Sequence, residues 1–233
     1  MTELSTMKAY YAHLTNLGTA PALVWYAPGE RIELSGKVMA NHIAKIFNLL
    51  SSEHDVEDER VTLDLSPSWK ALVWALGAVA AGAELDILGP ERADFTVAKF
   101  PAFSWSDVVV TDQPDKYATE ECITLALNPA SLAFAWDGDL PDGVDDAAAI
   151  VMGQADAPLF PFTDRPLEAF RHGRPTPPAS GTTAVAYANL SLPEALRATF
   201  TAFESGATLV VINDETRSAA DIAAAERASL INY

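Results

Sequence analysis

The sequence predicts an α/β protein: mostly parallel sheets flanked by helices, two related strand–helix–strand halves, and an N-terminal β-hairpin. Three observations carry the prediction. A strand, a capped helix, a Gly-Ala pair and another strand follow one another twice, with Gly206 falling 124 positions after Gly82. Segments such as Leu209-Val210-Val211-Ile212 are apolar without alternation, the pattern of strands covered on both faces. Of the 233 residues, 49% are hydrophobic and 20% charged, which suffices for a sizeable core. At roughly 150 residues per domain, the length leaves one or two domains open, and the repeat narrows the expectation to one compact unit with pseudo-repeated halves, approximately residues 1–116 and 117–233.

Taken in order, Ala22–Tyr26 and Arg31–Leu34 are β-prone runs separated by Pro28-Gly29, turn formers that predict a hairpin. Ser35 then caps a helix whose apolar residues Met39, Ile43, Ile46, Phe47 and Leu50 recur at three- and four-residue steps. The acidic stretch Glu53–Glu59 repeats no ligand spacing and is read as a solvated loop. In the first crossover, Val61–Leu65 is a strand, Ser66 an N-cap with Pro67 at the first helical position, and Trp69–Ala81 a helix. Gly82 stops that helix and Ala83–Leu88 is the next strand. Asp107–Val110 and Cys122–Leu127 are strand-like, and Trp136–Thr176 is rich in Pro, Gly and Asp and is taken as loop. In the second crossover, Thr182–Ala188 is a strand and Ser191 with Glu194 a capping box. Leu192–Ser205 is its helix, Gly206 the stop and Ala207–Ile212 the second strand. Ala219–Ala228 and Ser229–Tyr233 read as a final helix and a short strand or frayed end. Crossovers of this kind are right-handed and pair their strands in parallel.

Charge narrows the function classes. Fifteen Lys and Arg face 32 Asp and Glu, a net charge of −17. A phosphate backbone is repelled by such a chain unless a basic patch opposes it, and the basic residues are scattered singly, so no nucleic-acid partner is predicted. No lysine follows Lys116, which leaves Arg165, Arg171, Arg174, Arg197, Arg217 and Arg227 as the cations of the second half. The single cysteine, Cys122, allows neither an internal disulfide nor a cysteine-based zinc site. No run approaches the ~18 apolar residues of a membrane helix. The expectation is a soluble, cytoplasmic protein without a membrane partner.

Most sequence signatures of catalytic chemistry are absent. No GxxxxGK[ST] or GxGxxG phosphate signature and no GxSxG elbow occurs, and His13, His42, His54 and His172 show no metal-ligand spacing. Asp137–Gly143 looks acidic enough for calcium, but its glycines are misplaced, Pro141 interrupts it, and Ala148 stands where a bidentate Glu is needed. Cys122 has no basic neighbour and reads as a structural thiol. No catalytic residue and no metal ligand is assigned. One stretch keeps two readings: Ser180, Gly181, Thr182 and Thr183 offer hydroxyls and unhindered N–H groups for a nucleotide phosphate, or form the turn and first residues of a strand.

Residues 35–50, with Leu34-Ser35-Gly36, Ala40-Asn41 and Leu49-Leu50, then Asp58–Leu63 and Trp69–Ala83, resemble the N-terminal part of the adenylate-forming superfamily of acyl-CoA synthetases, adenylation domains and luciferases. Leu192–Ile212, with Glu204–Val211, resembles a later segment of the same superfamily. From Ala22 to Leu230 the chain is similar also to a family of short actinobacterial proteins of unknown function that keep only this half; Trp25-Tyr26, Gly29–Ser35, Ser106–Val110 and Pro141–Asp145 carry that similarity. The resemblance implies activation of a carboxylate with ATP, with ATP, AMP or CoA as cofactor, and a phosphate loop of Ser-Gly-Thr-Thr-Gly followed by lysine. Ser180–Thr183 matches its first part, but Ala184 stands in place of the glycine and Tyr187 in place of the lysine, and Gly181 precedes Gly206 by only 25 residues. The superfamily's adenine and ribose segments and its mobile C-terminal domain with a catalytic lysine find no match before Tyr233. The expectation is therefore a non-catalytic relative that binds a small molecule or a protein partner. Alternatives are part of a split or atypical ATP-dependent acyl-activating ligase, supplying an acyl or nucleotide pocket, and a structural or assembly protein, homodimeric through an apolar helix face.

Overall fold

The structure is a computed structural model, described for residues 6–88, 103–163, 167 and 173–231. Its elements are α1 (Met7–Leu17), β1 (Pro21–Ala27), β2 (Glu30–Ser35), α2 (Gly36–Ser52), β3 (Arg60–Asp64), α3 (Trp69–Ala81), β4 (Glu84–Ile87) and β5 (Val108–Thr111). There follow β6 (Ile123–Ala126), β7 (Val144–Asp146), α4 (Ala147–Met152), β8 (Ala184–Ala188), α5 (Leu192–Glu204), β9 (Thr208–Ile212), α6 (Ala219–Ala225) and β10 (Ser229–Leu230). The chain divides into two compact units, Met1–Asn41 with Asp164–Tyr233, and His42–Thr163, the boundary falling within α2. One crossover lies in each.

The first unit holds a five-stranded sheet of order β10-β8-β9-β1-β2. β1 and β2 form the antiparallel hairpin, turning at Gly29 with φ +75°, and the other pairings are parallel. Val24, Tyr26, Ala184, Ala186, Val210 and Ile212 cluster with Ile222 and Ala223 of α6 on one face. Their neighbours Leu23, Trp25, Val185, Tyr187, Leu209 and Val211 alternate to the other face and are buried too. On α5, which packs against β8 and β9, Phe200 and Phe203 meet Tyr10 of α1 edge-on, at centroid distances of 5.4 and 4.9 Å. Both faces are thus covered, which explains why these strands are apolar throughout. α1 was not legible in the periodicity; Thr6 caps it by accepting the Ala9 N–H, and Gly18 turns the chain out of it. At α5, the Ser191 N–H donates to the Glu194 carboxylate at 2.8 Å, completing the capping box.

The second unit holds a fully parallel sheet of order β4-β3-β5-β6-β7. Every residue of α3 is buried, which accounts for a helix with apolar residues on all sides. Its cap is Ser68, not Ser66: the Ser68 hydroxyl accepts the Ala71 N–H, so Pro67 stands before the helix rather than at its first position. Gly82 stops α3 in the left-handed conformation, φ +78°, with its N–H directed to Ala78 and Val79. The stretch taken as loop from Trp136 contains β7 and α4, elements too short to show a period. Asp146 caps α4 by accepting the N–H groups of Ala148 and Ala149. No described helix is long and apolar enough to cross a membrane.

Candidate functional site

Open parallel sheets bind ligands at the carboxyl ends of their strands, where successive connections leave in opposite directions. In the second unit β3 connects outward to β4 while β5 lies on the other side of β3 and leads to β6, so the crevice falls at the ends of β3 and β5. The fully buried carboxylate of Asp64 ends β3. It accepts the Tyr117 hydroxyl at 3.1 Å and has the Lys116 ammonium at 3.6 Å. Beside it the Asp112 carboxylate accepts the Ser66 N–H at 3.0 Å. From the first turn of α3, Lys70 reaches over the edge and donates to the carbonyls of Asn128 at 3.1 Å, Ala133 at 3.0 Å and Ala130. Asn128, after β6, donates to Ala135 O at 3.0 Å and to Asp137 at 3.2 Å, and Asp146 accepts the Trp136 N–H at 2.7 Å. The edge therefore gathers four carboxylates and two ammonium groups, and the chain itself supplies a partner to each. The arrangement ties the 128–137 loop to α3 and to its own backbone.

The sequence-derived candidates lie in the first unit. Ser180 and Gly181 sit in an exposed turn closed by Thr182 N–H to Ala179 O at 3.1 Å, with Gly181 at φ +86°. Thr183 is exposed and its carbonyl accepts the Thr208 N–H, and β8 begins at Ala184. The four residues thus stay together at the amino end of β8. Tyr187, where the lysine of the phosphate loop would fall, is fully buried inside that strand, its hydroxyl 3.5 Å from the Thr176 carbonyl. At the other end of this sheet Tyr26 donates to Glu226, and Arg31 bridges Glu226 at 2.8 Å and Glu33 at 2.7 Å. Burial and the Glu226 bond push the Tyr26 hydroxyl up, while the Arg31 guanidinium holds Glu226 below the usual carboxylate range.

Burial lowers the pKa of His13, of His42, whose ring meets Trp69 edge-on at 5.2 Å, and of His54. His172 lies outside the described residues. Burial also pushes the half-buried Cys122 thiol up. Among the described residues no group of three or more His, Cys, Asp or Glu is placed to hold a metal ion. A cavity of about 200 Å³ opens in the second unit, at the amino edge of its sheet, lined by Phe47, Asp55, Glu57, Phe160, Pro161 and Thr163 among others. It is smaller than the ~300–1,000 Å³ of small-molecule sites.

No family model matches the chain and no curated protein matches it. Solved structures do. An acyl-CoA synthetase from Brucella canis superposes with a TM-score of 0.62 at 18% identity, over 92% of this chain and 45% of that one. The N-terminal subdomain of NpsA from Klebsiella oxytoca, solved with 3-hydroxybenzoyl-AMSN, gives 0.58 at 11% identity, over 97% of this chain and 59% of that one. The fold is that of the N-terminal domain of adenylate-forming ligases. Acetoacetyl-CoA synthetase from Streptomyces lividans shares it, with a TM-score of 0.58 at 17% identity, over 88% of this chain and 38% of that one. The chain spans about half the length of these solved structures.

No sequence motif marks the polar edge built on Asp64, Lys70, Lys116, Tyr117 and Asn128. One signal was present: Lys70 interrupts the otherwise apolar run from Trp69 to Val73, and a lysine there has to find acceptors inside the protein.

Proposed function

We propose that this chain is a binding module on the adenylate-forming N-terminal fold that does not itself form acyl-adenylates. The observation that carries the reading is Tyr187: at the lysine position of the phosphate loop stands a ring buried in β8, so the Ser180–Thr183 turn brings hydroxyls and N–H groups but no cation. Stabilising charge as it develops on a transferred phosphoryl group depends on such donors, and one oxyanion donor contributes ~2.7–4 kcal/mol. The net charge of −17 acts against the same step. The test is ATP–pyrophosphate exchange by the purified chain across a panel of carboxylic acids. Exchange no faster than the protein-free blank is expected, and carboxylate-dependent exchange would overturn the proposal.

The exposed hydroxyls of the same turn favour a second reading, a nucleotide or CoA pocket that contributes to a split ligase. Binding to the folded state raises the melting temperature by linkage. A rise with ATP, AMP or CoA that is lost in Thr182→Ala and Thr183→Ala would establish that pocket; an unchanged melting temperature removes it.

A further inference from the structure

We infer that the 200 Å³ cavity of the second unit is a socket for one arginine side chain of a partner protein, whose apolar neighbours rest on Leu159 and Phe160. The inference deepens the binding-module reading by naming the partner's chemistry.

Four observations converge on it. The volume accommodates a single long side chain rather than a nucleotide. The lining joins the half-exposed ring of Phe160, beside the buried Phe47, to two exposed carboxylates, Asp55 and Glu57, which are its charged residues. A planar cation on an apolar stem satisfies both, stacking on a ring while its fork meets a carboxylate; an ammonium is a more strongly hydrated point charge and stacks less well. The charge at the socket has the complementary sign: neither lysine nor arginine lines it beside the two carboxylates. Finally, the apolar side chains beside the socket stand out in water on a segment hydrogen-bonded to α2. Leu159 is 60% and Phe160 51% exposed. Their segment is tied to α2 by the fully buried Asn48, which donates to the carbonyls of Ala155 at 3.1 Å and Ala157 at 2.9 Å and accepts the Leu159 N–H at 2.9 Å. Lys45 adds bonds to Met152 O and Gln154 O and an ion pair with Asp156 at 3.0 Å. A preorganised apolar rim around a pocket lowers the ordering cost of binding and is the anatomy of an interface anchor.

The experiment is a titration of the ¹⁵N-labelled chain with the peptide acetyl-Ala-Leu-Arg-Leu-Ala-amide, following the backbone amides of Ser51, Asp55, Glu57, Phe160 and Thr163. Saturable shifts confined to these residues are expected. Binding should weaken about tenfold when arginine is replaced by the neutral isostere citrulline, and equally in the Asp55→Asn, Glu57→Gln double variant. Asparagine suits position 55 because Asp55 has φ +48°, which it tolerates. Phe160→Ala, at a half-exposed site, should also lose binding while keeping a folded spectrum. Absent or scattered shifts, or equal binding of the citrulline peptide, would overturn the inference. So would self-association of the chain that Glu57→Gln abolishes, which would give the socket to a second copy. Pyrophosphate exchange is read separately, so catalysis with a working socket, or an idle socket without catalysis, tells the two proposals apart.

Discussion

Gly77 sits in the middle of α3, where helix propensity alone says that alanine is better by about 1 kcal/mol. Packing says the opposite. A Cβ at Gly77 would lie 2.7 Å from Ile46 Cβ and closer still to Ile46 Cγ2, with the Phe47 nitrogen at 3.6 Å behind it. Carbon atoms rest at about 3.5–4.0 Å, so the overlap is about 1 Å. Ile46 is β-branched and nearly restricted to one rotamer in a helix, so it cannot swing aside and α2 must move. Overpacking of this size costs about 1–3 kcal/mol. Gly77→Ala is therefore expected to lower stability by up to about 2 kcal/mol net of the propensity gain. The assay is urea unfolding of four proteins: wild type, Gly77→Ala, Ile46→Ala and the double variant. Ile46→Ala alone should cost about 2–5 kcal/mol; it removes the Cγ2 overlap but keeps the Cβ 2.7 Å away, so in that background Gly77→Ala should be less destabilising than in the wild type without turning stabilising. A stabilising Gly77→Ala in the wild-type background, or the same effect in both backgrounds, would refute the close approach of these two helices.

Lys70→Met removes an ammonium bonded to three carbonyls and leaves those acceptors without it, so about 2–4 kcal/mol of stability should be lost, with faster amide exchange across residues 128–137; a neutral variant would sink this account of the loop. Because burial lowers the pKa of His42, His54 and His13, the unfolded chain binds more protons below pH 6.5. Stability should be full above that pH and fall as pH drops through the range below it; melting temperatures from pH 7 to 5 check this, and His42→Gln should flatten the slope. Ser68→Ala should cost about 1 kcal/mol by thermal melting, since Ser68 caps α3. Glu226→Gln, which weakens the Arg31 and Tyr26 pairing at a partly exposed site, should cost no more than about 1 kcal/mol, and mainly above pH 4.5 because the Glu226 pKa is depressed.

Much of the fold was legible because its signals are local. The two crossovers announce themselves through glycine stops and caps, and the helices behind them through apolar residues or periodicity. What was missed is short or non-local. β7 and α4 span three and six residues, less than the window in which a period shows, and α4 depends on an Asp146 cap that also serves Trp136. The cap of α3 fell on Ser68 rather than Ser66 because the two serines flank Pro67 and only the three-dimensional turn decides which hydroxyl faces the Ala71 N–H. Of the site, the Ser180–Thr183 turn was visible as composition. The polar edge was not, since Asp64 meets Lys116 and Tyr117 across more than fifty residues, and Lys70 meets three carbonyls across about sixty.

The energetics of that edge bear on what it can bind. For Lys70 to reach a phosphate it must leave three carbonyl acceptors, and charge-assisted bonds contribute about 1.5–3 kcal/mol each. Forfeiting all three costs roughly 4.5–9 kcal/mol, comparable to the whole ~8.2 kcal/mol of a micromolar complex. An anion that took over Lys70 would consequently gain little net affinity from it. Lys116 is less tightly held, at 3.6 Å from Asp64 with its side chain 27% exposed, but withdrawing it strips a buried carboxylate of a counter-charge. A buried charge that loses its partner costs about 3–5 kcal/mol. Both cations of the edge are thus committed to structure, whereas Asp55 and Glu57 stand exposed at the mouth of an open cavity. On charge alone, recognition by this unit favours a cation at its amino edge over an anion at its carboxyl edge.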